Sequence, residues 1–85
     1  MVESTWEMAL EAEQEWAERT KRYLKAELKR ADVTYEELAQ RMTEMGMEET
    51  KASVANKISR GGFPASFFLV AMKAIGRDAV KLDDL

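Results

Sequence analysis

The sequence predicts an all-α fold, a bundle of four to five helices whose first helix is extended. Three observations carry that reading. Apolar residues recur at steps of three and four along most of the chain, the period of a helix with one buried face. No run alternates apolar and polar residues as a half-buried strand does. One Pro and four Gly are all that 85 residues hold, and each stands where a helix is expected to stop or start. Apolar residues make up 46% of the chain and charged residues 34%, too apolar for disorder and ordinary for one small domain.

The first helix is expected from about Thr5 to Ala31, capped by Ser4 or Thr5, with Glu7 in its first turn. Its second half sets Trp16, Thr20, Tyr23, Leu24, Leu28 and Ala31 at helical spacing toward a core. Its first half offers only Trp6, Ala9, Leu10 and Ala17, interrupted by Glu13. Residues 1–18 therefore read as an acidic helical arm continuous with helix one, ahead of a domain spanning residues 19–85. After "ADVT", Thr34 and Glu37 form T-x-x-E, a capping box in which each side chain satisfies an amide of the other residue. The second helix runs to about Met45, burying Leu38, Ala39 and Met42, and stops at Gly46. The third runs from about Glu49 to Arg60, with Val54, Ala55 and Ile58 inward, Glu48 and Glu49 at its positive end and Gly61-Gly62 at its close. Pro64 starts the fourth, "ASFFLVAMKAIG", where eight of the nine residues from Phe67 to Ile75 are apolar. So apolar a helix is either central or shared with another subunit, and a homodimer is expected. The tail "RDAVKLDDL" reads as a turn plus a short end.

There is no Cys and no His. Disulfide and thiol chemistry are excluded, and the commonest general base and metal ligand are missing together. No enzyme, cofactor or metal site is expected. The acidic N-terminus "MVESTWEMALEAEQEW" has no apolar run, which predicts no signal peptide, and "FFLVAM" is far too short to span a bilayer, so the expected compartment is the cytoplasm. The net charge of -3 hides a split: residues 1–18 carry six Glu and no Lys or Arg, whereas residues 19–85 carry a net +3.

"TYEELAQRM" (Thr34 to Met42) is similar to the opening of the phage-repressor-like helix-turn-helix family, the Cro and xenobiotic-response-element type. "NKISRGGFPASFFLVAMKAIG" (Asn56 to Gly76) looks like its close. The run from about Leu24 to Leu82 resembles more closely a family of short bacterial proteins described as a domain of unknown function, through "LK..L.RADVTYEELA", "ET.ASVANKISRG" and "FPA.FFL...KAIG". These resemblances imply a repressor-like helix-turn-helix bundle and name no ligand. The chain departs from the repressor type in one spacing: Ala39 and Val54 are fifteen residues apart, longer than that type carries. The extra residues fall in "TEMGMEETK", so either the turn is longer or both helices are. Tyr35 stands where the repressor type often has a Gln that meets the DNA backbone, with Glu36 and Glu37 beside it.

With Val54, Ala55 and Ile58 buried, the third helix presents Thr50, Lys51, Ser53, Asn56, Lys57 and Arg60. Arg and Lys meet guanine edges, Asn pairs with adenine, and hydroxyls and leading amides hold phosphate. No acid occurs from Lys51 to Arg60, in a chain with 16 Asp and Glu. These six residues are the candidate contacts to double-stranded DNA; the competing reading is a solvated helix face. Lys21, Arg22, Lys25, Lys29 and Arg30 make the second half of helix one basic, either touching phosphates or solvated and paired, as Glu18 with Arg22. Trp16 is expected in the core and Trp6 against a partner subunit. Met42, Met45, Met47 and Met72 are expected as core filler, with Met45 and Met47 as an alternative exposed edge. The acidic arm is a solvated helix, a segment for dimer or protein-partner packing, or an internal screen of the basic face. Two functions are therefore carried forward: a homodimeric DNA-binding regulator of transcription, and a protein-interaction module on a helix-turn-helix scaffold that does not read DNA.

Overall fold

The computed structural model describes the backbone from Val2 to Leu85 and the side chains from Met8 onward. Four α-helices follow one another, α1 (Val2–Ala31), α2 (Tyr35–Glu44), α3 (Lys51–Arg60) and α4 (Ala65–Ala74), before a 3-10 turn at Leu82–Asp84. No strand occurs among the described residues, as the sequence predicts. Because α1 already includes Ser4 and Thr5, neither caps it. The side chain of Trp6 lies outside the described residues.

Three helices end in the same way. At each, the residue after the cap takes a positive φ, and the next amide donates back across the last turn in a Schellman motif. Val33 donates to Leu28 at 3.0 Å, Met47 to Met42 at 2.9 Å and Arg77 to Met72 at 2.9 Å. Gly46 and Gly76 occupy the left-handed position at α2 and α4, but at α1 it is Asp32, with φ 56°. Asp tolerates that region better than most side chains. The starts are equally local. Thr34 caps α2 with the predicted capping box: its hydroxyl accepts from the Glu37 amide, and the Glu37 carboxylate accepts from the Thr34 amide, each at 3.1 Å. Pro64 is the N-cap of α4 rather than its first residue.

One core joins these elements. Leu24 and Leu28 of α1, Leu38, Ala39 and Met42 of α2, Val54 and Ile58 of α3, and Phe67, Ala71 and Met72 of α4 are buried, with Val33 and Ile75 at the joints. α2 packs on α3 and on α4, and α1 crosses α3. Each full burial of a Leu, Ile or Phe contributes roughly 1.5–3 kcal/mol. Side chains then tie helix ends together: Arg41 donates to the Ala74 carbonyl at 3.2 Å, and Lys21 to that of Ser59 at 3.1 Å. These cations meet the negative ends of α4 and α3.

Some expected core residues lie elsewhere. Trp16 is 47% exposed, because α1 outruns the bundle at that point, and the Arg19 guanidinium sits 4.7 Å over its ring. Met42 and Met72 are buried and Met47 packs on the core, whereas Met45, on the far side of Gly46, is exposed. α4 is only half central: Phe67, Ala71 and Met72 face inward while Leu69 is 63% exposed.

The tail docks through a buried carboxylate. Glu27 is buried, receives Arg77 Nε at 2.9 Å and is also paired with Arg30. The Arg77 hydrogen bond, helped by Arg30, holds the Glu27 carboxyl below the ordinary glutamate range against the opposing effect of burial. A depressed carboxylate stabilises the fold at pH values above the ordinary glutamate range, and that contribution is lost as the pH falls through the native value. Acid titration of the wild type is therefore expected to show a loss of urea stability below the ordinary glutamate range that is smaller in Glu27→Gln.

α3 ends at Gly61, with φ 69° and ψ -174°, a region essentially restricted to glycine. A Cβ there would stand 3.7 Å from the Ala17 carbonyl oxygen and from Lys21 Cδ, ordinary contact distances, so only backbone strain opposes a side chain. Gly61→Ala is expected to lower unfolding free energy by about 1–3 kcal/mol, measured by urea denaturation.

Candidate nucleic-acid interface

α3 is helical for local reasons. Thr50 starts it with a second capping box, in which Ser53 takes the place a Glu usually holds. The Thr50 hydroxyl accepts from the Ser53 amide at 3.0 Å, and the Ser53 hydroxyl accepts from the Thr50 amide at 2.8 Å. Val54 and Ile58, one turn apart, are fully buried against the core and Ala55 is half-buried. The opposite side is exposed along Ala52, Asn56 and Arg60, each four residues from the next, with Ser59 beside them.

The six sequence-predicted residues divide into two groups. Lys51, Asn56 and Arg60 are exposed. Among the described residues they take part in no side-chain hydrogen bond or ion pair. Thr50, Ser53 and Lys57 are engaged inside the chain. Thr50 and Ser53 form the cap, and the Ser53 hydroxyl also donates to Glu49 Oε1 at 2.7 Å. Lys57 Nζ pairs with Glu49 Oε2 at 2.5 Å and lies 5.3 Å over the Phe67 ring.

Glu49 is the residue that the sequence reading misplaced. The sequence reading opens α3 at about Glu49 and sets Glu48 and Glu49 at its positive end. Instead Glu49 precedes the cap, and its side chain is only 2% exposed. Thr43 clamps its backbone: the hydroxyl accepts from the Glu49 amide at 3.1 Å, lies 3.1 Å from the Glu49 carbonyl and donates to that of Ala39 at 2.8 Å. The acid-free window from Lys51 to Arg60 is real in the sequence. An acid from just outside it nonetheless neutralises Lys57. The T-x-x-S pattern at Thr50 was the signal that placed the cap one residue after Glu49. Ala52 and Ser59 belong to the exposed row and were missed, although stepping four back from Asn56 finds Ala52.

The long spacing between Ala39 and Val54 resolves into the turn. α2 and α3 are ten residues each, and the six residues Met45–Thr50 connect them, against three or four in a compact helix-turn-helix. Beside the C-terminal end of α3, Lys21 reaches both the Ser59 carbonyl and Glu18, the latter at 3.7 Å. Glu18 thus pairs at i,i+3 rather than with Arg22. Arg22, Lys25 and Lys29 are exposed along α1, and Arg30 is held by Glu27. No group of three His, Cys, Asp or Glu among the described residues is placed to hold a metal ion. No helix among them is long and apolar enough to cross a membrane.

These features define a small all-helical domain in which two capped helices, α2 and α3, pack on each other, α2 also against α4 and α3 against α1, and leave one face of α3 exposed. The family described as "Domain of unknown function (DUF6471)" matches residues 16–80, and the chain belongs to that family. No curated protein and no solved structure matches it.

Glu49→Gln removes the charge that Lys57 and Ser53 surround. It is expected to cost about 1–3 kcal/mol of unfolding free energy, whereas Lys51→Ala, at an exposed position, is expected to stay within about 0.5 kcal/mol of wild type. Urea titrations of both variants check this.

Proposed function

We propose that the protein binds double-stranded DNA as a small cytoplasmic regulator of transcription, with α2 and α3 acting as a helix-turn-helix of the repressor-like type. The observation that carries the reading is the exposed row of α3. Asn56 and Arg60 stand one turn apart, without side-chain partners among the described residues, on a face that holds no acid, and Lys51 stands at the leading end. An Asn suits the adenine edge and an Arg the guanine edge in the major groove. Under this reading Thr50 and Ser53 shape the start of the helix rather than read bases. Lys57, being paired with Glu49, contributes little until that pair opens. Lys21, which meets the end of α3, and Lys25, exposed one turn further along α1, supply phosphate contacts that position the helix.

The test is selection of random duplex DNA by the purified protein at low and near-physiological salt. A motif that persists at the higher salt is expected. Asn56→Ala and Arg60→Ala are each expected to weaken binding to that motif by about ten- to a hundredfold, with thermal unfolding unchanged. Wild-type binding by both variants, or selection that yields no motif, refutes the reading. A second reading, a protein-interaction module that does not recognise DNA sequence, is supported by Leu69, exposed on α4. It predicts loss of DNA binding at moderate salt with no enriched motif.

A further inference from the structure

α1 divides by charge in the middle of one continuous helix. Residues 1–18 carry six Glu and no base, while residues 19–31 carry six Lys and Arg against the single Glu27. The two halves also differ in cover. Every described side chain from Met8 to Trp16 is exposed, Met8 to 66% and Trp16 to 47%. A helical segment of about fifteen residues without packing is marginal in water. The basic half, by contrast, borders an open groove of about 710 Å³ lined on α1 by Arg19, Arg22, Ala26, Arg30 and the already paired Glu27, and on the tail by Asp84.

One stripe joins the two halves. Met8, Ala12, Glu15, Arg19, Arg22 and Ala26 recur at alternating steps of four and three, the repeat of a helix seam. At 3.6 residues per turn, this stripe lies on the side of α1 away from Leu24 and Leu28, so a helix laid along it leaves the core untouched.

We infer that a second copy of this chain occupies the stripe, with the two α1 helices antiparallel about a two-fold axis near residue 17. A two-fold interface is isologous and must complement itself. Turning α1 end for end does this, because the acidic half of each helix meets the basic half of the other. Glu15 and Glu11 then face Arg19 and Arg22 of the partner at both ends, and Met8 falls against the small Ala26. A parallel pairing would set acid on acid and base on base. In one chain Arg19 already lies 3.8 Å from Glu15 across a turn of the same helix, so the charges approach the seam partly ordered. The inference holds whether or not α3 binds DNA.

Sedimentation equilibrium of the full chain tests it with two double variants, Glu11→Lys with Glu15→Lys, and Arg19→Glu with Arg22→Glu. The wild type is expected to be a dimer that weakens in about 1 M salt, where charges are screened within roughly 3 Å. Each double variant alone sets like charges face to face at both ends, and its dimer dissociation constant is expected to rise at least about tenfold. An equimolar mixture of the two variants is expected to regain dimerisation, since each new Lys then faces a new Glu. That rescue separates pairing from misfolding. A wild type still monomeric at about 0.1 mM, variants that dimerise as the wild type does, or a mixture that stays dissociated overturns the proposal.

Discussion

The placement of α3 rests on one buried carboxylate, Glu49. Its backbone is gripped by Thr43 at the end of α2, and its side chain by Ser53 and Lys57 in the first two turns of α3. A buried charge is tolerable only when hydrogen bonds and an opposite charge surround it. Any rotation of α3 away from this carboxylate would strip those partners. The six-residue connection between α2 and α3 is therefore as well determined as a short turn. The same clamp decides which side of α3 faces solvent, since it draws Ser53 and Lys57 toward the connection and leaves the row of Ala52, Asn56 and Arg60 outside.

Glu27 performs the corresponding task at the other edge of the molecule. It joins α1 to the segment after α4, through Arg77, fifty residues away in sequence. A chain of 85 residues buries a modest core, and apolar packing tolerates several arrangements of similar volume. The two buried acids, Glu27 held by Arg77 and Arg30 and Glu49 by Lys57, select among them. Both depend on local order first. Arg77 follows the Schellman ending of α4, and Glu49 stands just before the cap of α3, so those helix ends position both pairs.

The distribution of charge along α1 links the fold to its partners. The basic half meets α3 at Lys21, near its C-terminal end, and turns a second, arginine-rich side toward the groove. The acidic half keeps every described side chain from Met8 to Trp16 exposed. One helix thus presents cations on two sides and anions along its free length. Binding of a polyanion beside α3 would draw on Lys21 and Lys25, and a second acidic helix along the groove on Arg19 and Arg22, and neither would compete with the core.

What the sequence determined by itself was local. The capping box of Thr34 and Glu37, the stops at Gly46, Gly61 and Gly76, the helical period and the inward faces of α2 and α3 depend on residues within about one turn of each other, and the structure repeats them. The membership in a family of unknown function was likewise legible in contiguous motifs. The tertiary structure decided the rest. It placed the extra residues between Ala39 and Val54 in the connection, sent Glu49 inward, and set Thr50, Ser53 and Lys57 apart from Lys51, Asn56 and Arg60. It also left Trp16 and Leu69 in solvent although both stand at positions that helical spacing made apolar. The physical reason is the same in each case. A side chain's charge, polarity and period are written in its neighbours, but whether it is buried, and which distant group neutralises it, depends on how whole helices stack.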